Sequence, residues 1–174
     1  ELGDGNARYT TTLNNLANTF LYSNQLDSAQ IIYRHIERIY HYVLSDTSSL
    51  SYARLLEKLG RVYRMNKEYV TALAYLQAAY LLQFHKQNYS TASTLLEIAE
   101  VYLEKNDTLN ACTYAEKALT AYNMFYSHDN PNYIYAKRRV AHIHYLTKQN
   151  KNIVQPLLNS DSIARKNVLN YFMF

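Results

Sequence analysis

The side chains best equipped for chemistry are few, and their spacing argues against it. The six histidines are His35, His41, His85, His128, His142 and His144. His142 and His144 are two residues apart, so on a helix they point about 200° away from each other. A helical metal pair needs a separation of three or four residues, so these read as surface or packing histidines. Cys112 is the only cysteine, which excludes an intrachain disulfide and a cysteine-only metal site. No histidine lies near it in sequence, and beside Ala111 on a helix it reads as a small buried residue rather than a nucleophile. Gly3-Asp4-Gly5 lacks the later Gly, Lys and Ser/Thr of a phosphate loop. Glu97, Glu100 and Glu104 share one helix face at i, i+3 and i+7. Paired carboxylates can do acid–base work, yet such a stripe is far more often a solvated or groove-lining face. The expectation is a chain without catalytic residues, metal or cofactor.

The elements that carry these residues are more informative. Leu56, Leu59, Gly60 and Tyr63 fall at i, i+3, i+4 and i+7, so they share one face of a helix. After Asn66-Lys67 come Tyr69, Ala72, Leu76 and Ala79, again at three- and four-residue steps. Two such helices joined by a short polar turn make a helical hairpin. The pattern recurs. Leu13, Leu16, Ala17 and Phe20 precede Ala29, Tyr33 and Ile36, and Leu95, Ile98, Ala99 and Tyr102 precede Ala111, Ala115 and Ala118. A weaker copy has Val140, Ala141 and His144, then Ile153 and Leu157.

The motif L-x2-L-G-x2-Y followed by A-x3-L-x2-A closely resembles the tetratricopeptide repeat (TPR), with Leu56 in place of the consensus Trp and Leu76 in place of the Phe. The small residues Ala17, Gly60, Ala99 and Ala141 recur at intervals of 43, 39 and 42, longer than the usual period of about 34. That longer period resembles the kinesin-light-chain type of repeat, as do Leu13-Asn14-Asn15-Leu16-Ala17 and Ser127-His128-Asp129-Asn130-Pro131. The resemblance covers roughly residues 8–158 and implies an all-α fold, a right-handed α-solenoid of antiparallel helix pairs.

Composition agrees. In 174 residues, 48% are hydrophobic, and there are only 3 Gly and 2 Pro. A chain so poor in helix breakers builds a helical array most easily. Its 19 tyrosines and no tryptophan suit helices half in a core and half on a groove, because Tyr buries its ring and keeps its hydroxyl wet. The net charge of +4 permits an acidic partner without the clustered Lys and Arg of a nucleic-acid binder. No run of about 18 apolar residues forms a membrane span. The chain begins at Glu1 without Met, as a mature form or a domain excised from a larger protein would. Compartment is left open, cytoplasmic before periplasmic, and oligomeric state is unassigned.

The expected organisation is a flexible lead-in at 1–7, repeats at about 8–45, 50–86, 89–126 and 132–166, and a tail or start of a continuation at 167–174. Asp46-Thr47-Ser48-Ser49 offers helix N-caps, and Asn130-Pro131 opens another helix with Pro in its first turn. Asn24, Asn66, Asn106 and Asn150 are expected to take the left-handed conformation that closes each first helix. Repeat four is degenerate: Pro156 sits in its second helix, and the chain closes on apolar Tyr171-Phe172-Met173-Phe174.

The remaining faces of the first helices carry the site expectation. The resemblance implies that they line a concave groove for an extended peptide or helix. In repeat two these residues are Arg54, Glu57, Arg61 and Arg64. Asn14, Asn15 and Asn18 in repeat one could hold a peptide backbone through amides that donate and accept. Glu100 represents repeat three, and Tyr135, Arg138 and Tyr145 represent repeat four. The plain alternative is a set of solvated polar faces. Family members that bind acidic chaperone tails use a Lys/Asn/Asn/Lys/Arg clamp. Here the places hold Asn14, Asn18, Lys58, Ser93 and Glu97, of which only Asn18 agrees. A protein or peptide partner is therefore expected, in a non-catalytic interaction module. The second reading is a ligand- or peptide-sensing regulatory domain of a larger bacterial regulator or sensor. RNA reading would need regular base-reading residues in each repeat, which these repeats lack.

Overall fold

A computed structural model describes the backbone of residues 2–149 and the side chains of 8–147. Those residues form seven helices and no strand. The helices are α1 (Leu2–Tyr22), α2 (Leu26–Tyr42), α3 (Leu50–Met65), α4 (Tyr69–His85), α5 (Ser90–Glu104), α6 (Thr108–Phe125) and α7 (Pro131–Gln149). They stack as three antiparallel hairpins followed by α7, in an all-α solenoid. The expected second helix of repeat four, with Asn150, Pro156 and the Tyr171–Phe174 end, lies outside the described residues. The first helix starts at Leu2 rather than near Arg8. Glycines such as Gly3 and Gly5 weaken a helix by about 1 kcal/mol each without forbidding it.

Caps set the boundaries. Ser49 Oγ accepts from the Tyr52 amide at 3.1 Å, and Asp107 Oδ1 from the Asn110 amide at 3.1 Å. Asn130 Oδ1 accepts from the Asn132 amide at 2.9 Å, with Pro131 in the helical position where a missing N–H costs nothing. The three hairpin turns share one closure. Gln25, Glu68 and Asp107 donate back to the carbonyls of Phe20, Tyr63 and Tyr102 at 2.8–2.9 Å. The residue before each is left-handed: Asn24 at φ 58°, Lys67 at φ 63° and Asn106 at φ 61°. Repeat two thus corrects the sequence expectation. Asn66 stays at φ −78°, and Lys67 takes the strained place because it is the residue in register with the closing bond. The Asn66 side-chain amide instead donates to Gln30 Oε1 at 3.1 Å, tying the turn to repeat one.

The buried stripes follow the sequence pattern through three repeats. Leu56, Leu59, Gly60 and Tyr63 pack against Ala72, Leu76 and Ala79; Leu95 and Ala99 pack with Ala111, Ala115 and Ala118 in the next hairpin, while Ile98 joins the core of the preceding one. At Gly60 the helices nearly touch. A Cβ there would lie 2.5 Å from Leu76 Cγ and 3.3 Å from the Ala72 carbonyl oxygen. Leu16 departs from the pattern. It is 46% exposed, whereas its counterparts Leu59 and Ile98 are buried. That position faces the preceding hairpin, and no described hairpin precedes repeat one. In α7 the buried stripe is Tyr133, Ala136, Val140 and Ile143. Ala141 is exposed, so the small-residue register of the fourth copy is shifted by one.

Candidate functional site: the inner helical face

The first helices form an inner layer, in which α3 touches α5 and α5 touches α7 directly. Their polar residues meet one repeat apart. Arg61 and Arg64 both reach Glu97, with Arg64 Nε 3.3 Å from Oε2, and Arg64 also pairs with Glu104. Arg139 holds Glu100, with Nη2 at 2.6 Å and Nε at 2.8 Å from the same oxygen. Arg61, Arg64, Glu97 and Glu100 are all well shielded, so these pairs are screened less than surface ones. The expected basic and acidic patches of repeats two and three are thus each other's partners.

Below this ladder lies a buried polar junction. Glu57 is 8% exposed. Its Oε2 accepts from Gln83 Nε2 at 3.3 Å and its Oε1 from the Ser93 hydroxyl at 3.1 Å. Gln83 Oε1 in turn accepts from Thr94 Oγ1 at 2.7 Å. Helices α3, α4 and α5 are joined by this chain of bonds. Burial first, and then the negative charge of Glu97, push the Glu57 carboxyl above its ordinary range.

The other anticipated groove residues divide. The Asn18 carbonyl oxygen accepts from the Tyr33 hydroxyl at 2.7 Å, so that amide already braces α1 against α2. Burial raises the Tyr33 phenol well beyond its usual range, and the phenol stays protonated as the donor. Asn15 is exposed, and Asn14 is half-buried on the wall of a cleft of about 400 Å³ between α1 and α3. Arg54 and Lys58 line the same cleft, and Glu57 lies in its wall. Arg54 is exposed, with a single long contact of 3.5 Å to the Tyr89 hydroxyl. At the far end of the layer, Tyr135, Arg138 and Tyr145 are exposed.

Sequence reasoning omitted Lys58 from the site set and missed Arg139, Gln83 and Thr94 altogether. Arg139 carries a usable signal, a cation one repeat beyond Glu100. Gln83 carries one too, an amide that continues the stripe Ala72, Leu76 and Ala79 at helical spacing. The structure also brings His144 to Cys112, which 32 residues of sequence concealed. Sγ lies 3.7 Å from His144 Nδ1 and 3.3 Å from Thr147 Oγ1, while His144 Nε2 lies 3.7 Å from Glu116 Oε1. The thiol is buried, and burial pushes it up, away from the thiolate that nucleophilic chemistry needs. Among the described residues no group of three or more His, Cys, Asp and Glu could hold a metal ion, and no helix is long and apolar enough to cross a membrane.

No family model and no curated protein sequence matches the chain. Solved structures do. A putative kinesin light chain from Podosopora anserina, built of nearly identical TPR-like repeats, superposes with a TM-score of 0.69 at 17% identity, over 90% of this chain and 75% of that one. A point variant of that protein gives 0.68, also at 17% identity, over 90% of this chain and 74% of the other. BtubC (BKLC) from P. vanneervenii gives 0.71 at 14% identity, over 95% of this chain and 65% of its own. These likenesses show a TPR-like repeat fold.

Proposed function

We propose that the chain is a non-catalytic protein–protein interaction module that holds a peptide or helical segment of a partner protein against its inner helical face. The observation that carries this reading is the cleft of about 400 Å³ between α1 and α3. Pockets of this size accept one or two side chains rather than a folded surface. The residues put forward as contacts are Asn14 and Arg54 on its wall, the exposed Asn15 next to Asn14 in α1, and Tyr135, Arg138 and Tyr145 at the other end. Asn18, Glu57, Arg61, Arg64 and Glu100 support the groove from behind, since each already has an intramolecular partner.

Site-specific photo-crosslinking tests the reading. A photoreactive residue at position 14 or 135 should trap a partner segment, and one at position 81 on the outer helix α4 should not. Crosslinks confined to position 81 would move the binding face to the outer layer.

A further inference from the structure

We propose that two copies of the chain pair across the exposed face of α4, antiparallel and about a two-fold axis; this is independent of the groove reading above. Val70, Ala74, Gln77, Ala78, Leu81 and His85 fall on one stripe at helical spacing, and all are exposed. Val70 is 80% and Leu81 55% exposed. Between its caps, Glu68 and Lys86, the helix contains no Asp, Glu, Lys or Arg. A solvated helix ordinarily carries charge on its outward face. The neighbouring second helices do: α2 exposes Asp27, Arg34 and Arg38, and α6 exposes Glu116. A groove of about 470 Å³ adjoins the stripe, lined by Glu37 of α2, Tyr52 and Leu56 of α3, and Ala74, Ala78 and Leu81 of α4. Its acid, Glu37, is already held by Arg34 at 2.8 Å. An apolar ridge beside an apolar groove is a surface to be covered.

The distribution of charge selects a second copy as the cover. In a two-fold contact the same patch faces itself, so a charge near the axis would meet its own kind. The stripe on α4 carries none. Its ends carry opposite ones. Glu68 stands at the N-terminal cap and Lys86 at the C-terminal cap, both exposed, and neither has an ion pair among the described residues. Lys67 lies one residue further out, in the turn. Antiparallel pairing brings Glu68 of each copy toward Lys86 of the other, and each positive helix end beside a negative one. Parallel pairing would set acid on acid. With Glu68 opposite Lys86, the axis passes beside Gln77 and Ala78. Ala74 then lies close to the second copy's Leu81, so a large side chain meets a small one and can reach the adjoining groove.

Sedimentation equilibrium of the full chain over the micromolar range tests the pairing, and a reversible dimer is expected. A78E should raise the dissociation constant at least tenfold. E68K and K86E should each raise it by a smaller factor, and E68K/K86E should recover most of the loss, because the swap restores opposite charges across the contact. In a Cys112→Ser background, A78C beside the axis should form an intersubunit disulfide under mild oxidation. V70C, roughly 20 Å from its own copy along the helix axes, should not. A photoreactive residue at position 81 should trap a second copy of this chain and no other protein, so the groove reading stands or falls separately. A monomer throughout overturns the inference, whether α4 is bare or is covered by residues 150–174, a membrane or another protein. A dimer that tolerates A78E, or a charge swap that deepens the loss, overturns it as well.

Discussion

The junction between repeats one and two and the junction between repeats two and three use the same helices in different ways. At the first, rings and hydroxyls meet. Tyr40 and Tyr52 pack at 5.5 Å, the Tyr52 hydroxyl lies 2.9 Å from His41 Nε2, and Arg34 and Glu37 gather around the Tyr75 hydroxyl. Burial raises the Tyr75 phenol to about 12, with Glu37 adding to the effect and Arg34 opposing it. At the second junction full charges are drawn inward: Glu57 beneath, Glu97 between two arginines, Glu104 at the edge. Aromatic contacts tolerate small slips between hairpins. A shielded charge ladder does not, because any slip strands a charge in a poorly solvated place. The second junction should therefore hold the angle between its two hairpins more tightly than the first does.

The largest expected effect comes from breaking the stricter junction. Glu97→Leu leaves Arg61 and Arg64 without their shared acid. The cost should be about 2–4 kcal/mol, between the values for exposed and fully buried pairs. His41→Ala at the first junction removes one part-buried bond and should cost about 1 kcal/mol or less. Urea denaturation of both variants decides it, and equal midpoints would erase the distinction between the junctions.

Gly60→Ala comes next. The added methyl lands on Leu76 Cγ inside one hairpin rather than between two, at a cost of about 1–3 kcal/mol. Combining it with Leu76→Ala should recover part of that loss in a double-mutant cycle. Strict additivity would mean the methyl finds room elsewhere.

A third effect separates the junctions by pH. Glu57 is raised above the ordinary 4.5 by burial, then by Glu97. Between the ordinary and the raised value, the folded state holds a proton that the unfolded state has lost. Its contribution to stability therefore falls as pH rises through that window. Glu57→Gln should remove this slope, so the variant gains on the wild type as pH rises from the ordinary value through the raised one. A difference that stays flat across this range would place the Glu57 carboxylate in water.

How much of this was legible follows from the distances involved. Helix positions, the buried stripes and the close approach at Gly60 were readable because they are written at three- and four-residue steps. The ladder was not, because Arg64 and Glu97 are 33 residues apart in the chain and Arg139 and Glu100 are 39 apart. Arg61, Arg64 and Glu100 were read as facing a partner molecule, and each has an ion-pair complement one repeat away. The same interval hid His144 from Cys112. Burial at the ends was misread for the opposite reason: Leu16 obeys the local pattern, but nothing described lies before it to bury it.

The smallest effect concerns the turns, where the misreading was by one residue. Asn24 and Asn106 tolerate the left-handed conformation, while Lys67 adopts it at φ 63° with an ordinary side chain. That region costs a non-glycine residue about 1 kcal/mol or more, and Asn less than Lys. Lys67→Gly should therefore raise stability by about 0.5–1 kcal/mol, the steric relief exceeding the added freedom of the unfolded chain. Lys67→Asn should gain less, with the same sign. Asn66→Gly should instead lose stability, because Asn66 has a negative φ and its amide ties the turn to Gln30. Thermal melts of the three variants rank them directly. If Asn66→Gly stabilised and Lys67→Gly did not, the turn would close one residue earlier, and the hairpin register of repeat two would have to move with it.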